Sequence, residues 1–355
     1  TDNNQGTNRA YVLFILVVVY TFNFIDRQIV GILAVPIKAD LGLTDSELGL
    51  MGGLAFALFY TGLGIPVAML ADRFSRTWIM TIALVIWSGM TAASGLATNF
   101  WQLFAARLGV GVGEAGGVAP AYSLISDFFP PNQRSRAMSV YSFGIPIGSA
   151  IGIVFGGIIA SMINWRWAFF IVGIAGVVIA PIFRMTIKEP PRGGFDRQRE
   201  AVKAPGLKLI VSTLMTKPSF WLLSLGASFS SMMGYGVFFW LPSFFVRSYN
   251  LTLLNASLFY GAVLLIGGLA GIWVGGWLGD RFGQDQRSQY ARIPAIAFLC
   301  TVPFYILAIL SPTLTLAFFV LLVPTALGLA WLGPVISAIQ HLVRPDMRAT
   351  ASAIF

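Results

Sequence analysis

The feature that most restricts this chain is a succession of apolar runs, such as YVLFILVVVYTFNFI (11–25) and FFIVGIAGVVIAPIF (169–183). About 20 such residues in a helix cross the roughly 30 Å hydrocarbon core of a bilayer. The composition agrees, at 57% hydrophobic and 10% charged residues, against about 45–50% and about 25% in soluble domains. The expectation is an all-α integral membrane protein. The first run continues past Asp26 and no small-residue cleavage site follows, so it reads as a span rather than a signal peptide.

The runs place ten spans near 10–35, 48–70, 78–98, 101–126, 137–162, 167–187, 219–246, 257–279, 292–311 and 313–340. ATASAIF after Arg348 reads as the start of an eleventh, and the expectation is a chain without its native ends. With the N-terminus on the cytoplasmic side, only Lys38, Arg166 and Arg247 fall outside, while the remaining loop Lys and Arg fall inside. The positive-inside rule therefore predicts a cytoplasmic N-terminus and an inner, plasma-membrane location. It also assigns the net charge of +9 to the membrane rather than to nucleic acid. The Pro-, Gly- and charge-rich connector divides the chain into a bundle at 1–187, a linker at 188–218 and a second bundle at 219–355. Within the linker, GLKLIVSTLMTK reads equally as an interfacial helix or as a spacer.

One cysteine, Cys300, and one histidine, His341, supply little material for a disulfide, metal centre or Cys/His catalytic pair. No cofactor is expected. GVGEAG (111–116) matches a dinucleotide fingerprint formally, but it lies in an apolar helix with no strand before it. Small-residue helix packing is the better account, and with no GxxxxGK[ST] no nucleotide partner is expected.

The chain repeats itself. AMLADRFSR (68–76) and GGWLGDRFGQ (275–284) both end the second span of a half, and PNQRSRAMS (131–139) and PDMRATASA (345–353) both follow the fourth. The offsets are 280 − 72 = 208 and 345 − 131 = 214. The DRF loops resemble the Gly-x-x-x-Asp-Arg-x-Gly-x-Arg signature of the major facilitator superfamily. The second copy keeps Gly276, Asp280, Arg281 and Gly283; the first keeps Asp72, Arg73 and Arg76 but carries Ala68 and Ser75 at glycine positions. Within that family, FIDRQ, RLGVGVGEAGGVAPAYSLISDFFP and PPNQRSRAMSVYSFGIPIGS resemble the Spinster group, and short soluble ends point to a bacterial member. The resemblance implies two six-helix bundles in parallel pseudo-repeat, the second incomplete here. It also implies a monomeric secondary transporter of sphingosine-type or lysophospholipid amphiphiles, with proton coupling.

Charges inside spans are functional hypotheses by default, because each costs about 2.5–17 kcal/mol at the bilayer centre. Four stand out: Asp26, Arg27, Arg107 and Glu114. At about 1.5 Å per residue, Asp26 falls at a depth between Arg107 and Glu114, which share a helix face seven residues apart. In the fold that the resemblance implies, spans one and four line a central cavity. Asp26 and Glu114 are then expected to bind protons with Arg107 as the switchable counter-ion, and Arg27 to hold an anionic headgroup beside Arg107 and Glu114. A static ion-pair network that only orders the helices is the competing reading. In the second half, shifts of 208 to 214 land on no charge. Tyr235, Phe238, Phe239 and Trp331 are the candidates for an apolar wall against a lipid tail, or else for lipid-facing and core packing. Asp72, Arg73, Arg76 and Asp127, echoed by Asp280 and Arg281, read as a cytoplasmic gate by resemblance and equally as solvated loop charges. The rival functions are a facilitator of a small polar anion or sugar, and a membrane-embedded lipid enzyme. The enzyme reading needs a nucleophile with a base, and the scarcity of His and Cys weakens it.

Overall fold

The computed structural model describes residues 8–130, 137–138, 140–191, 207–283, 288–342 and 354–355. Among them there is no strand, and nine helices are long and apolar enough to cross a membrane. Span one is Arg9–Leu41, started by Asn8, which accepts the Ala10 N–H, and stopped by Gly42 at φ 65°. That left-handed conformation suits glycine as a helix stop. A short helix, Asp45–Gly49, stands before span two under a Thr44/Glu47 capping box. Span two starts with a π-helical turn at Leu50–Leu54 and continues as Ala55–Arg73. Span three is Arg76–Ser94, span five Val140–Met162 and span six Trp165–Thr186. After the short helix Leu207–Met215 come span seven, Pro218–Ser248, span eight, Leu253–Gly283, and span nine, Gln289–Ile309.

Span four is two helices, and span ten, long enough to cross as Leu314–Val335, turns within its length. Span four runs Phe100–Glu114 and Val118–Phe128, and span ten runs Leu314–Leu329 and Leu332–Leu342. The breaks recur at nearly one offset, 329 − 114 = 215 and 332 − 118 = 214. The sequence limits place one span at each position, and the structure interrupts both with a short turn. The break in span four is packed tightly: a Cβ at Gly113 would sit 2.5 Å from Trp87 N, and one at Gly116 2.7 Å from Ala83 Cβ.

The chain divides into two compact units, Thr1–Gln198 with Phe238–Gly261, and Arg199–Val237 with Ala262–Phe355. In the first, Gly148 and Gly152 of span five let it close on span one, where added Cβ atoms would meet Thr21 O at 2.4 Å and Ile25 O at 2.7 Å. Leu16, Phe24, Leu84, Trp87, Val110 and Leu124 form its apolar core. In the second, Phe220, Trp331, Val335 and Ile339 pack together. Large apolar side chains such as Phe14, Ile174, Leu299 and Phe319 stand exposed, as they do where the solvent is lipid.

Span eight meets span ten through glycine. A Cβ at Gly271 would lie 2.1 Å from Ala326 O, and one at Gly275 2.0 Å from Ala330 O. Backbone cannot yield as a side chain can. Gly271→Ala and Gly275→Ala should each destabilise the protein by about 1–3 kcal/mol through overpacking, seen as a lower thermal midpoint in detergent. Gly276→Ala, whose Cβ would enter open space, should be neutral or mildly stabilising, since alanine is the better helix former.

Candidate functional site

The four charges expected at membrane depth come together in the first unit, three of them buried and Arg27 partly so. Asp26 is 1% exposed, Arg107 3% and Glu114 0%. Arg107 Nη1 donates to Asp26 Oδ1 and Oδ2, both at 3.2 Å. Arg27 Nε donates to Glu114 Oε2 at 2.7 Å. Glu114 therefore has Arg27 as its direct ion partner, and Arg107 serves Asp26. The guanidinium of Arg27 also lies 4.7 Å from the Tyr60 ring centroid and 5.2 Å from that of Phe24, a cation–π arrangement that steadies a partly desolvated charge. Helix geometry explains the two pairs. Neighbouring residues on a helix point about 100° apart, so Asp26 and Arg27 reach different turns of span four.

Two polar neighbours carried no signal in the sequence. Thr91 Oγ1 of span three lies 2.6 Å from Asp26 Oδ1 and 2.9 Å from Trp87 O. A lone threonine in an apolar helix is not distinctive, and only the packing of span three reveals it. Asn23, one turn before Asp26 and Arg27, is 2% exposed. It lines a cavity of about one water molecule's capacity with Tyr20, Trp87, Gly117 and Tyr141.

The apolar candidates fall in different settings. Tyr235 is 47% exposed, while Phe239 and Trp331 are each 9% exposed. Phe238 is half-buried. Phe239 fills a socket made by two glycines: a Cβ at Gly31 would lie 3.2 Å from its backbone, and one at Gly52 2.1 Å from its ring. Trp331 sits in the core with Phe220 and Val335. Both therefore act as packing residues in this structure.

On the N-terminal side of the first unit, Arg76 is 1% exposed. It donates to Asp127 Oδ2, to Ser123 Oγ at 2.8 Å, to Glu189 Oε1 at 2.7 Å and to Pro190 O at 3.2 Å. Glu189, which the sequence reading missed in the KEPP run, also accepts the Thr77 N–H at 2.9 Å and so caps span three from another part of the chain. Arg281 is exposed, 5.6 Å from the Trp277 ring centroid. The side chains of Asp72, Arg73 and Asp280 lie outside the described residues, as do residues 131–136 and 343–353.

On the opposite side, Asp45 accepts from Lys38 Nζ at 2.9 Å and from Arg247 Nη2 at 2.9 Å. Hydrogen bonds from Arg247 and then Lys38 hold its carboxyl down at about 2, against an ordinary 3.8. A depressed carboxyl stabilises the fold above its ordinary value and ceases to do so as pH falls through the depressed one. Thermal midpoints of the parent and Asp45→Asn should therefore differ above about pH 4 and merge as pH approaches about 2. Added salt should shrink the difference, because the cluster is exposed.

The family model described as Major Facilitator Superfamily matches residues 16–355. An MFS-type efflux pump of Mycolicibacterium smegmatis is 33% identical over 99% of this chain and 82% of its own length. The human protein spinster homolog 1 is 27% identical over 97% of this chain and 69% of its own. A crystal structure of a bacterial homologue of the human lysosomal transporter Spinster, inward-facing and unoccupied, superposes with a TM-score of 0.86. It shares 35% identity, covering 98% of this chain and 78% of that one.

Proposed function

The chain belongs to the major facilitator superfamily, and from that premise we propose that it is a proton-coupled secondary transporter of amphiphilic lipids of the sphingosine-phosphate or lysophospholipid class. It is a multi-pass membrane protein of a transporter family, similar to Spinster proteins over nearly its whole length. In this reading it works as a monomer in the inner membrane with its N-terminus in the cytoplasm, and it performs no chemistry on its cargo.

The observation that carries the proposal is the set of two ion pairs, Asp26–Arg107 and Arg27–Glu114, side by side on spans one and four. A headgroup phosphate arriving at Arg27 competes with Glu114 for the guanidinium. A carboxylate that loses its cation in a desolvated site takes up a proton. Substrate and proton thereby act on the same four side chains, and each changes what the other binds. Such a change drives a conformational step only through a difference in affinity between two states, and exchange of ion partners supplies one. The lipid class rests on the resemblance to the Spinster group and on the contrast between a charged first half and a second half without charges at the matching depths.

Counterflow in proteoliposomes tests the substrate class. Labelled sphingosine phosphate or lysophospholipid should exchange across the membrane and compete with each other, while a small organic anion and a hexose should not. Exchange of the small solutes alone would replace the lipid reading with the polar-solute one.

A further inference from the structure

We propose that Thr91 is a positioning residue that keeps the Asp26 carboxyl hydrogen-bonded both with and without its proton. The inference deepens the proton-coupled reading and rests on it for its role in transport, although the hydrogen-bond arrangement stands on the geometry.

The geometry is one hydroxyl between two oxygens: Thr91 Oγ1 lies 2.6 Å from Asp26 Oδ1 and 2.9 Å from Trp87 O. A threonine hydroxyl has one hydrogen to give and lone pairs that accept. It can donate to only one of these oxygens at a time, and both distances suit a hydrogen bond. Two arrangements follow. With Asp26 ionised, Thr91 O–H donates to Oδ1, and Arg107 donates to the same carboxylate. With Asp26 protonated, its new O–H donates to Thr91 Oγ1, and the Thr91 hydrogen turns to Trp87 O. Trp87 O needs no such partner in the first state, because a helical carbonyl already accepts the N–H four residues on, here that of Thr91. The hydrogen bond between Thr91 and Asp26 is kept in both states, which differ by the proton and by a hydroxyl rotation.

A residue of another type would not do this. Valine gives the ionised carboxylate no donor and the protonated one no acceptor. Asparagine would have to flip a whole amide in a packed helix contact. Thr91 is 1% exposed, so water does not stand in for it from bulk. The charged and titratable groups around Asp26 are few. Span four brings Arg107, Glu114, which acts on Asp26 directly as well as through Arg27, and Tyr122, which meets Tyr141. Span two brings Tyr60 under Arg27. Span three otherwise brings only Arg76, at its end with Asp127 and Glu189. Span five brings Tyr141, stacked on Tyr20. Span six brings Arg166 and Arg184, placed at opposite ends with Asp40 and over the Trp78 ring.

Infrared difference titration of the purified protein tests the inference, with Asp26→Asn identifying the Asp26 carboxylic-acid band. The hydrogen bond to the ionised carboxylate is the stronger of the two that Thr91 makes. Thr91→Val should therefore raise the proton affinity of Asp26 by about tenfold, with Thr91→Ala as a second variant should the first fold poorly. Thr91→Ser, which keeps the hydroxyl, should titrate as the parent does. An unchanged titration in Thr91→Val and Thr91→Ala would overturn the inference, as would a parent in which no Asp26 band titrates. The coupling reading fails separately. Proton-driven transport with a Thr91-independent titration removes only the role of Thr91. A Thr91-dependent titration in a parent without proton-driven transport removes only the coupling.

Discussion

Replacing Arg107 with leucine is expected to abolish transport and to destabilise the protein by about 3–5 kcal/mol, the cost of breaking a buried pair from one side. Asp26 is 1% exposed and would keep its Thr91 hydrogen bond but lose the cation that compensates its charge. The penalty should shrink in acid, because a protonated Asp26 no longer needs one. Adding Asp26→Asn in the same chain removes the stranded charge and should recover most of the stability. The double variant separates two accounts of the site. Recovery of stability without transport assigns the pair to the transport cycle, whereas recovery of both leaves it a structural network. Thermal midpoints across pH, with lipid uptake alongside, give both readouts.

Arg76→Ala should be comparably severe, about 3–5 kcal/mol, for a different reason. Arg76 joins three segments that are distant in sequence: span three, the end of span four through Ser123 and Asp127, and the stretch after span six through Glu189 and Pro190. Burial opposes ionisation of Glu189, but hydrogen bonds from Thr77 N–H, Arg76 and Ser75 outweigh it and hold the carboxyl below its ordinary 4.5. The stability that Glu189 confers is therefore present above that value and lost as pH falls below it. Glu189→Gln keeps the shape and some of the hydrogen bonds, so it should cost less than Arg76→Ala. The two effects should be strongly non-additive, because the residues share one network. Denaturation midpoints of the single and double variants measure the shared term.

The span pattern was open to reading because hydrocarbon leaves a chain so few choices, and the repeat because two landmarks stood at nearly one offset. The breaks in spans four and ten were not. GEAGG and LAWLG are as compatible with a continuous helix as with a turn, and only the backbone shows the interruption, in bonds that reach back three residues from Gly116, Gly117 and Ala330. At the site, composition marked Asp26, Arg27, Arg107 and Glu114, and depth placed them together. Depth alone could not show which carboxylate meets which guanidinium, since Asp26 and Arg27 differ by one residue in height and by their direction around the helix. Thr91, Asn23 and Glu189 left no trace, because their roles depend on tertiary neighbours rather than on residue type. Phe239 illustrates the reverse. Its aromatic ring suggested a wall for a lipid tail, yet Gly31 and Gly52 make a socket for it.

The central claim is that substrate and proton meet on the Asp26–Arg107 and Arg27–Glu114 pairs. Proton movement across sealed proteoliposomes, recorded when sphingosine phosphate or a lysophospholipid is added, tests it most directly, with Asp26→Asn in parallel. Substrate-driven proton flux in the parent and none in the variant is the predicted result, and the direction of flux distinguishes symport from antiport. Labelled lipid crossing without proton movement in either protein would contradict the claim and leave the four charges to order the helices.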